Sequence, residues 1–286
     1  MNDQADELRN LVLESAARQA AYAGPPARIV TVAGGKGGVG TTSLALNLSV
    51  ALAGQGSQIV LVDADLHRAD ISALCRLEER YNLGDVLRGH HGIHEVLERG
   101  PHGIQVIAGT WAEDGNAICT EFAQRRLIQG LRSMGSHADV VILDVGSGSG
   151  VVQQRFWHAA DEIIIVTTPD TVSIMDAYAA IKSLLNDGPP VPVSVVVNQV
   201  VDHDLAHEVH LRIQRSCRRF LGRDVRHLGH VPLDPRLSLA AHDSQPVMMQ
   251  SPTCPAARAL ERIATQLLSP RIDCVVENDD SRLRAA

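Results

Sequence analysis

Aromatic side chains are scarce in this sequence, at 3% of 286 residues. A core must then be built from Val, Ile, Leu and Ala, the residues that line parallel strands covered on both faces. Cysteine is also sparse: Cys75, Cys119, Cys217, Cys254 and Cys274 are odd in number, scattered, and form no CxxC pair. Neither a disulfide framework nor a zinc or iron-sulfur site is indicated. Positive charge is short as well. The formal balance is −7, so no global field draws the chain onto phosphate backbones, and nucleic acid is not an expected partner. The first residues lack the basic and apolar regions of a signal peptide, and no apolar run has the length to cross a bilayer. A protein of the reducing cytoplasm is the expectation.

Hydrophobic residues make up 45% of the chain, enough for one α/β domain with short appendages. Six stretches read as strands: 28–33, 58–62, 104–108, 139–143, 162–166 and 192–197, each rich in Val, Ile or Leu and separated by segments of helical spacing. This alternation predicts a doubly wound, mostly parallel sheet with helices on both faces. Before it, residues 3–20 carry Leu8, Leu11, Val12 and Ser15 at helical spacing, and Gly24-Pro25-Pro26 breaks that segment from the domain. The organisation expected is an amphipathic helix in 1–22, a linker at 23–27, the domain at 28–268 and a polar tail at 269–286.

The first strand runs into Gly34-Gly35-Lys36-Gly37-Gly38-Val39-Gly40-Thr41-Thr42, and helical spacing follows from Thr42 to Ala53. Strand, glycine loop and helix in that order make a phosphate cradle: backbone N–H groups point into one concavity and the helix presents its positive end. The pattern GxxxxGK[ST] is met except at its lysine, where Thr41 stands. Gly35, Gly37, Gly38, Val39, Gly40, Thr41 and Thr42 are the candidate nucleotide-binding residues. Acids gather at the ends of later strands, where ligands of such sheets bind. Asp63 and Asp65 close the second strand, and Asp144 closes the fourth like a Walker B aspartate that holds Mg²⁺ through water.

Lys36-Gly37-Gly38-Val39-Gly40, Asp63-Ala64-Asp65 and Val166-Thr167-Thr168-Pro169-Asp170 together resemble the MinD/ParA family of deviant-Walker P-loop ATPases, over about residues 28–268. The run Thr171 to Tyr178 is more similar to the MinD and FlhG branch than to the plasmid-partition branch, and Asp3, Gln4, Ala5, Leu8 and Arg9 resemble the DQAxxLR segment of FlhG proteins, which stimulates the GTPase FlhF. The resemblance implies a homodimer that forms with ATP and Mg²⁺, acts slowly as an ATPase, and regulates flagellar placement or number through a FlhF-like GTPase. It implies that Lys36 reaches across the dimer to the partner's phosphates, Thr42 binds Mg²⁺, Asp65 orients the attacking water, and Asp63 and Asp144 organise the metal. Asn198 and the segment around Pro232 would meet the adenine. An adaptor of the same fold that has lost its ATPase, and a ParA-like chromosome or cargo positioning ATPase, are the alternatives.

Three other features have plainer readings. Arg212, Arg215, Arg218, Arg219, Arg223 and Arg226 read as a solvated helix face. His203, His207 and His210 share a helical face without a carboxylate partner, which argues against a metal site. Ala256 to Leu268 is amphipathic but lacks the lysines of a lipid-binding helix, so a peripheral contact with the inner face of the plasma membrane rests on the resemblance alone.

Overall fold

Period-two apolar runs become the strands of one sheet in a computed structural model, which describes residues 25–111, 118–148, 150–186 and 191–269. In chain order the elements are β1 (Arg28–Gly34), α1 (Thr41–Gly54), β2 (Ile59–Asp63), α2 (Ile71–Cys75), α3 (Leu83–Arg88), β3 (Leu97–Arg99), β4 (Gln105–Ile107), α4 (Glu121–Arg132), β5 (Val140–Ser147) and α5 (Val151–Ala159). There follow β6 (Glu162–Thr167), α6 (Thr171–Asn186), β7 (Val193–Val200), α7 (His203–Leu221), β8 (Arg226–Pro232), α8 (Pro235–His242), α9 (Val247–Gln250) and α10 (Pro255–Leu268). The strand order is β3-β4-β2-β5-β1-β6-β7-β8. All neighbours are parallel except β3 and β4.

Alternation along each strand feeds two cores. Val60, Val62, Val141, Leu143, Ile163 and Ile165 pack beneath α3 to α7, whereas Ile59, Leu61, Val140, Ile142 and Ile164 pack beneath α1, α2, α8, α9 and α10. The doubly wound expectation is met. Two strands escaped the sequence reading, and both are edges. β3 is three residues long, and β8 reads Arg-His-Leu-Gly-His-Val-Pro, with polar residues and glycine where central strands carry Val and Ile. An edge strand buries less and is free to be polar, so its apolar signal is weak. The amphipathic segment, its Asp3 to Arg9 motif and nearly all of the tail lie outside the described residues. Among the described residues, no helix is long and apolar enough to cross a membrane.

Candidate nucleotide site

β1 lies between β5 and β6, so the loop after it opens at the centre of the sheet's C-terminal edge. α1 begins there just after Gly40, whose φ of 91° is left-handed and which has no side chain to cap the helix. The first N–H groups of α1 are therefore left for a ligand, which is the requirement of an anion site at a helix start. A Cβ on Gly40 would stand 2.4 Å from Nδ2 of Asn198, so the left-handed turn and the close approach both require glycine here. Asn198, at 3% exposure, donates that amide to the Val39 carbonyl at 2.8 Å, and its Oδ1 accepts from the Gln199 N–H at 2.9 Å. The residue that the family resemblance assigns to adenine is thus, in this conformation, a brace for the loop. Pro232 ends β8 opposite Val200 on the same edge.

Loop glycines divide by what surrounds them. A Cβ on Gly35 would stand 2.3 Å from the Asp176 carbonyl carbon in α6, whereas, among the described residues, one on Gly37 would meet only Ser147 Oγ at 3.8 Å, and one on Gly38 nothing within 4 Å. Gly35 lets the loop pack on α6, and the glycines at 37 and 38 leave the cradle open. Gly35→Ala is expected to lower stability by about 1–3 kcal/mol, the usual result of overpacking against backbone. Gly37→Ala is expected to leave stability within about 0.5 kcal/mol while narrowing the cradle and weakening nucleotide binding. Urea midpoints and a fluorescent-nucleotide titration on both variants check this; equal stability losses would show the division to be wrong.

The acids predicted at strand ends do converge. Asp63 and Asp144 sit opposite one another in the β2–β5 ladder, and both are fully buried. Burial, with Asp144 as the next cause, pushes the Asp63 carboxyl well above its ordinary range. Burial likewise pushes Asp144 up to about 7, opposed by the Thr42 hydroxyl and the Gly146 N–H. Oδ2 of Asp144 has no partner among the described residues. A buried carboxylate oxygen without a donor, beside the Thr42 hydroxyl, is a suitable ligand set for a hard divalent cation, so these residues fit Mg²⁺. Asp65 is held by His67 and Arg68 N–H groups at 3.0 and 3.2 Å on Oδ1, and its Oδ2 lies against Gly146.

Lys36 is exposed at the loop's crest, with Nζ 3.7 Å from Oδ1 of Asp170. The sequence pattern assigns that acid no role. Here its carboxylate accepts from the Thr168 hydroxyl and the Ser173 N–H at the start of α6, and the Ser173 and Thr168 hydroxyls, with Lys36 a smaller cause, hold it well below the usual carboxylate range. The order Thr-Thr-Pro-Asp before a helix, with serine three residues on, was the available signal. Thr41 occupies the lysine position at 7% exposure, its hydroxyl close under Gly34.

Away from this edge, the arginine run is a solvated face: Arg212, Arg215, Arg218, Arg219 and Arg223 are exposed, and Arg212 and Arg218 pair with Glu208 and Asp224. Arg226 instead donates to the Gln266 carbonyl at 2.8 Å. Among the described residues, no three of His, Cys, Asp and Glu are grouped to hold a metal.

A ParA family model, described as NUBPL iron-transfer P-loop NTPase, matches residues 26–268. The chain is 29% identical over 242 residues to the antiactivator FleN of Pseudomonas aeruginosa, covering 85% of this chain and 86% of that protein. It is 29% identical over 188 residues to the flagellum site-determining protein YlxH of Helicobacter pylori, covering 64% and 62%. Among solved structures, the septum site-determining protein MinD from Pyrococcus horikoshii, complexed with Mg-ADP, aligns with a TM-score of 0.71 at 22% identity over 85% of this chain and 96% of that one.

Proposed function

This chain belongs to the ParA family of P-loop NTPases, and from that premise we propose that it is a nucleotide-controlled dimerisation switch that regulates the placement or number of flagella. Its likeness to the flagellum site-determining protein YlxH carries the flagellar part of the reading, and its likeness to the antiactivator FleN the regulatory part. The family model's description names iron transfer, but the sequence has no CxxC pair with which to bind a cluster. Residues 28–268 act as the ATPase unit, 269–286 as a polar tail, and 1–22 as the segment that engages a FlhF-like GTPase.

In this reading the N–H groups of the loop and of the start of α1 hold the phosphates of ATP. Thr42 and the partnerless oxygen of Asp144 hold Mg²⁺, with Asp63 behind them. The metal supplies charge neutralisation at the transferred phosphoryl group. Asp65, fixed by two backbone N–H groups, orients the attacking water. Asn198 leaves its contact with the loop, or shares it, to meet the base near Pro232.

The position of Lys36 supports its assignment to the partner's phosphates. Its ion pair with Asp170 is about half exposed on both sides, and such pairs are worth about 0–1 kcal/mol. Little is lost when the lysine swings outward. Val151, Val172, Met175, Val201 and Leu233 are all more than half exposed, and each follows a strand at the same edge. An apolar rim around the nucleotide is what a second copy would cover.

The test is the mass in solution without nucleotide, with ADP, and with Mg-ATP. Doubling with ATP alone, abolished in Lys36→Ala, is the expected result. An unchanged mass in every condition would replace this reading with a second one that Thr41 favours: an adaptor of the same fold that has lost its ATPase.

A further inference from the structure

β8 is the outermost strand, and its ladder with β7 carries a bulge: Val195 faces His227 and Val196 faces Gly229, leaving Leu228 as the extra residue. Regular alternation would place His227 and His230 on opposite faces, because three positions separate them. The bulge resets the alternation. The two rings lie nearly parallel, at 10°, with centroids 6.5 Å apart, while Leu228 and Val231 turn into the core beneath α10. His203 meets His230 edge-on at 5.1 Å, and His210 stacks on His227 at 4.7 Å.

A cavity of about 390 Å³ opens beside this cluster, and its polar side chains are His203, His227, His230, Arg262 and Gln266. No carboxylate is among its lining residues. The groups facing the imidazoles are His203, His207, His210 and Arg218 from α7, each other on β8, and Arg262 from α10. Asp204, the acid beside His203, is fully solvent-exposed and 4.0 Å away. Burial first, then these neighbours, holds His227 and His230 below their ordinary 6.5 and brings His210 to about 4. Nε2 of His227 and Nδ1 of His210 are closed off from solvent and have no partner among the described residues, so these two rings stand behind His203 and His230 with hydrogen-bonding capacity unused. A cation site is disfavoured by Arg262 and by the absence, among the described residues, of three converging ligands.

We propose that this cavity is a receptor for a small, multiply charged oxyanion of the phosphate class, held by Arg262, the Gln266 amide and the N–H groups of His203 and His230, with the His227 ring behind them. The site is separate from the phosphate-binding loop, on the lateral edge of the sheet. An entering anion brings the negative charge that the cluster lacks. The imidazoles take up protons as it binds, and affinity therefore rises as pH falls. The volume suits a free oxyanion or a small phosphate ester.

Sulfate is the first probe because it keeps both charges across the working pH range, and inorganic phosphate is the second. Histidine Cε1–H resonances of the full chain are followed by NMR with Mg-ADP in excess to occupy the loop. Saturable shifts of His203, His227 and His230 are expected at about pH 6, with affinity about tenfold weaker at about pH 8. Arg262→Gln and His230→Gln, both outside the core, are each expected to weaken binding about tenfold without changing the nucleotide response. The proposal is overturned by an absence of saturable shifts at the lower pH, by shifts unaltered in both variants, or by saturation with Zn²⁺ and not with either oxyanion.

Discussion

Lysine at position 41 is expected to tighten ATP binding about ten- to a hundredfold and to speed hydrolysis. Charge-assisted contacts in a partly desolvated site are worth about 1.5–3 kcal/mol, which converts to that range. Thr41 is the first residue of α1 and is nearly buried, with its hydroxyl beneath Gly34, so a longer side chain from this position enters the loop rather than solvent. Lys36 cannot substitute within its own chain, since it stands at the crest beside Asp170. Thr41→Met is the control, because it adds similar length without charge and should give no gain. Calorimetric titration with ATP and steady-state phosphate release on both variants decide the matter. Should lysine change neither quantity, the loop does not place a γ-phosphate within reach of position 41, and the adaptor reading gains.

Much of this site could be read from the chain because its parts are local. The glycine loop is one contiguous run, and Asp63 and Asp144 each end a strand of apolar residues visible in isolation. That the two acids face each other could not be read, since it depends on β5 being inserted beside β2 from 77 positions later, Asp63 to Val140. The contact of Asn198 with Val39 spans 159 residues and reverses the expected direction of that side chain, from ligand to loop. Asp170 was missed for a different reason: a helix-capping acid looks alike whether or not a lysine from another loop reaches it. β8 shows a similar limit. Its polar composition hid the strand, and the bulge at Leu228 that gathers the histidines has no signature apart from Gly229.

Asp144→Asn is expected to stabilise the ligand-free protein at neutral and alkaline pH while abolishing any stabilisation by Mg-ATP and any hydrolysis. The folded protein holds the Asp144 proton up to about 7, against an ordinary 3.8. A raised carboxyl pKa means that the folded state binds the proton more tightly than the unfolded one. Stability is then fully present below the ordinary value and is lost as pH rises from about 4 through 7, by up to about 4 kcal/mol for a group this buried. The substituted amide carries no charge at any pH, so that loss should flatten in the variant, leaving the contribution of Asp63. Wild type should recover the loss when Mg²⁺ and ATP are supplied, because a divalent cation gives the two facing carboxylates the counter-charge that burial denies them. Thermal unfolding of both proteins across this pH window, with and without Mg-ATP, separates the contributions. A wild-type melting temperature that is flat from about pH 4 to 8 would show that the fold does not hold the Asp144 proton, and a variant still stabilised by Mg-ATP as strongly as wild type would show that Asp144 is not the metal's anchor and that its partnerless oxygen is satisfied by something other than a cation.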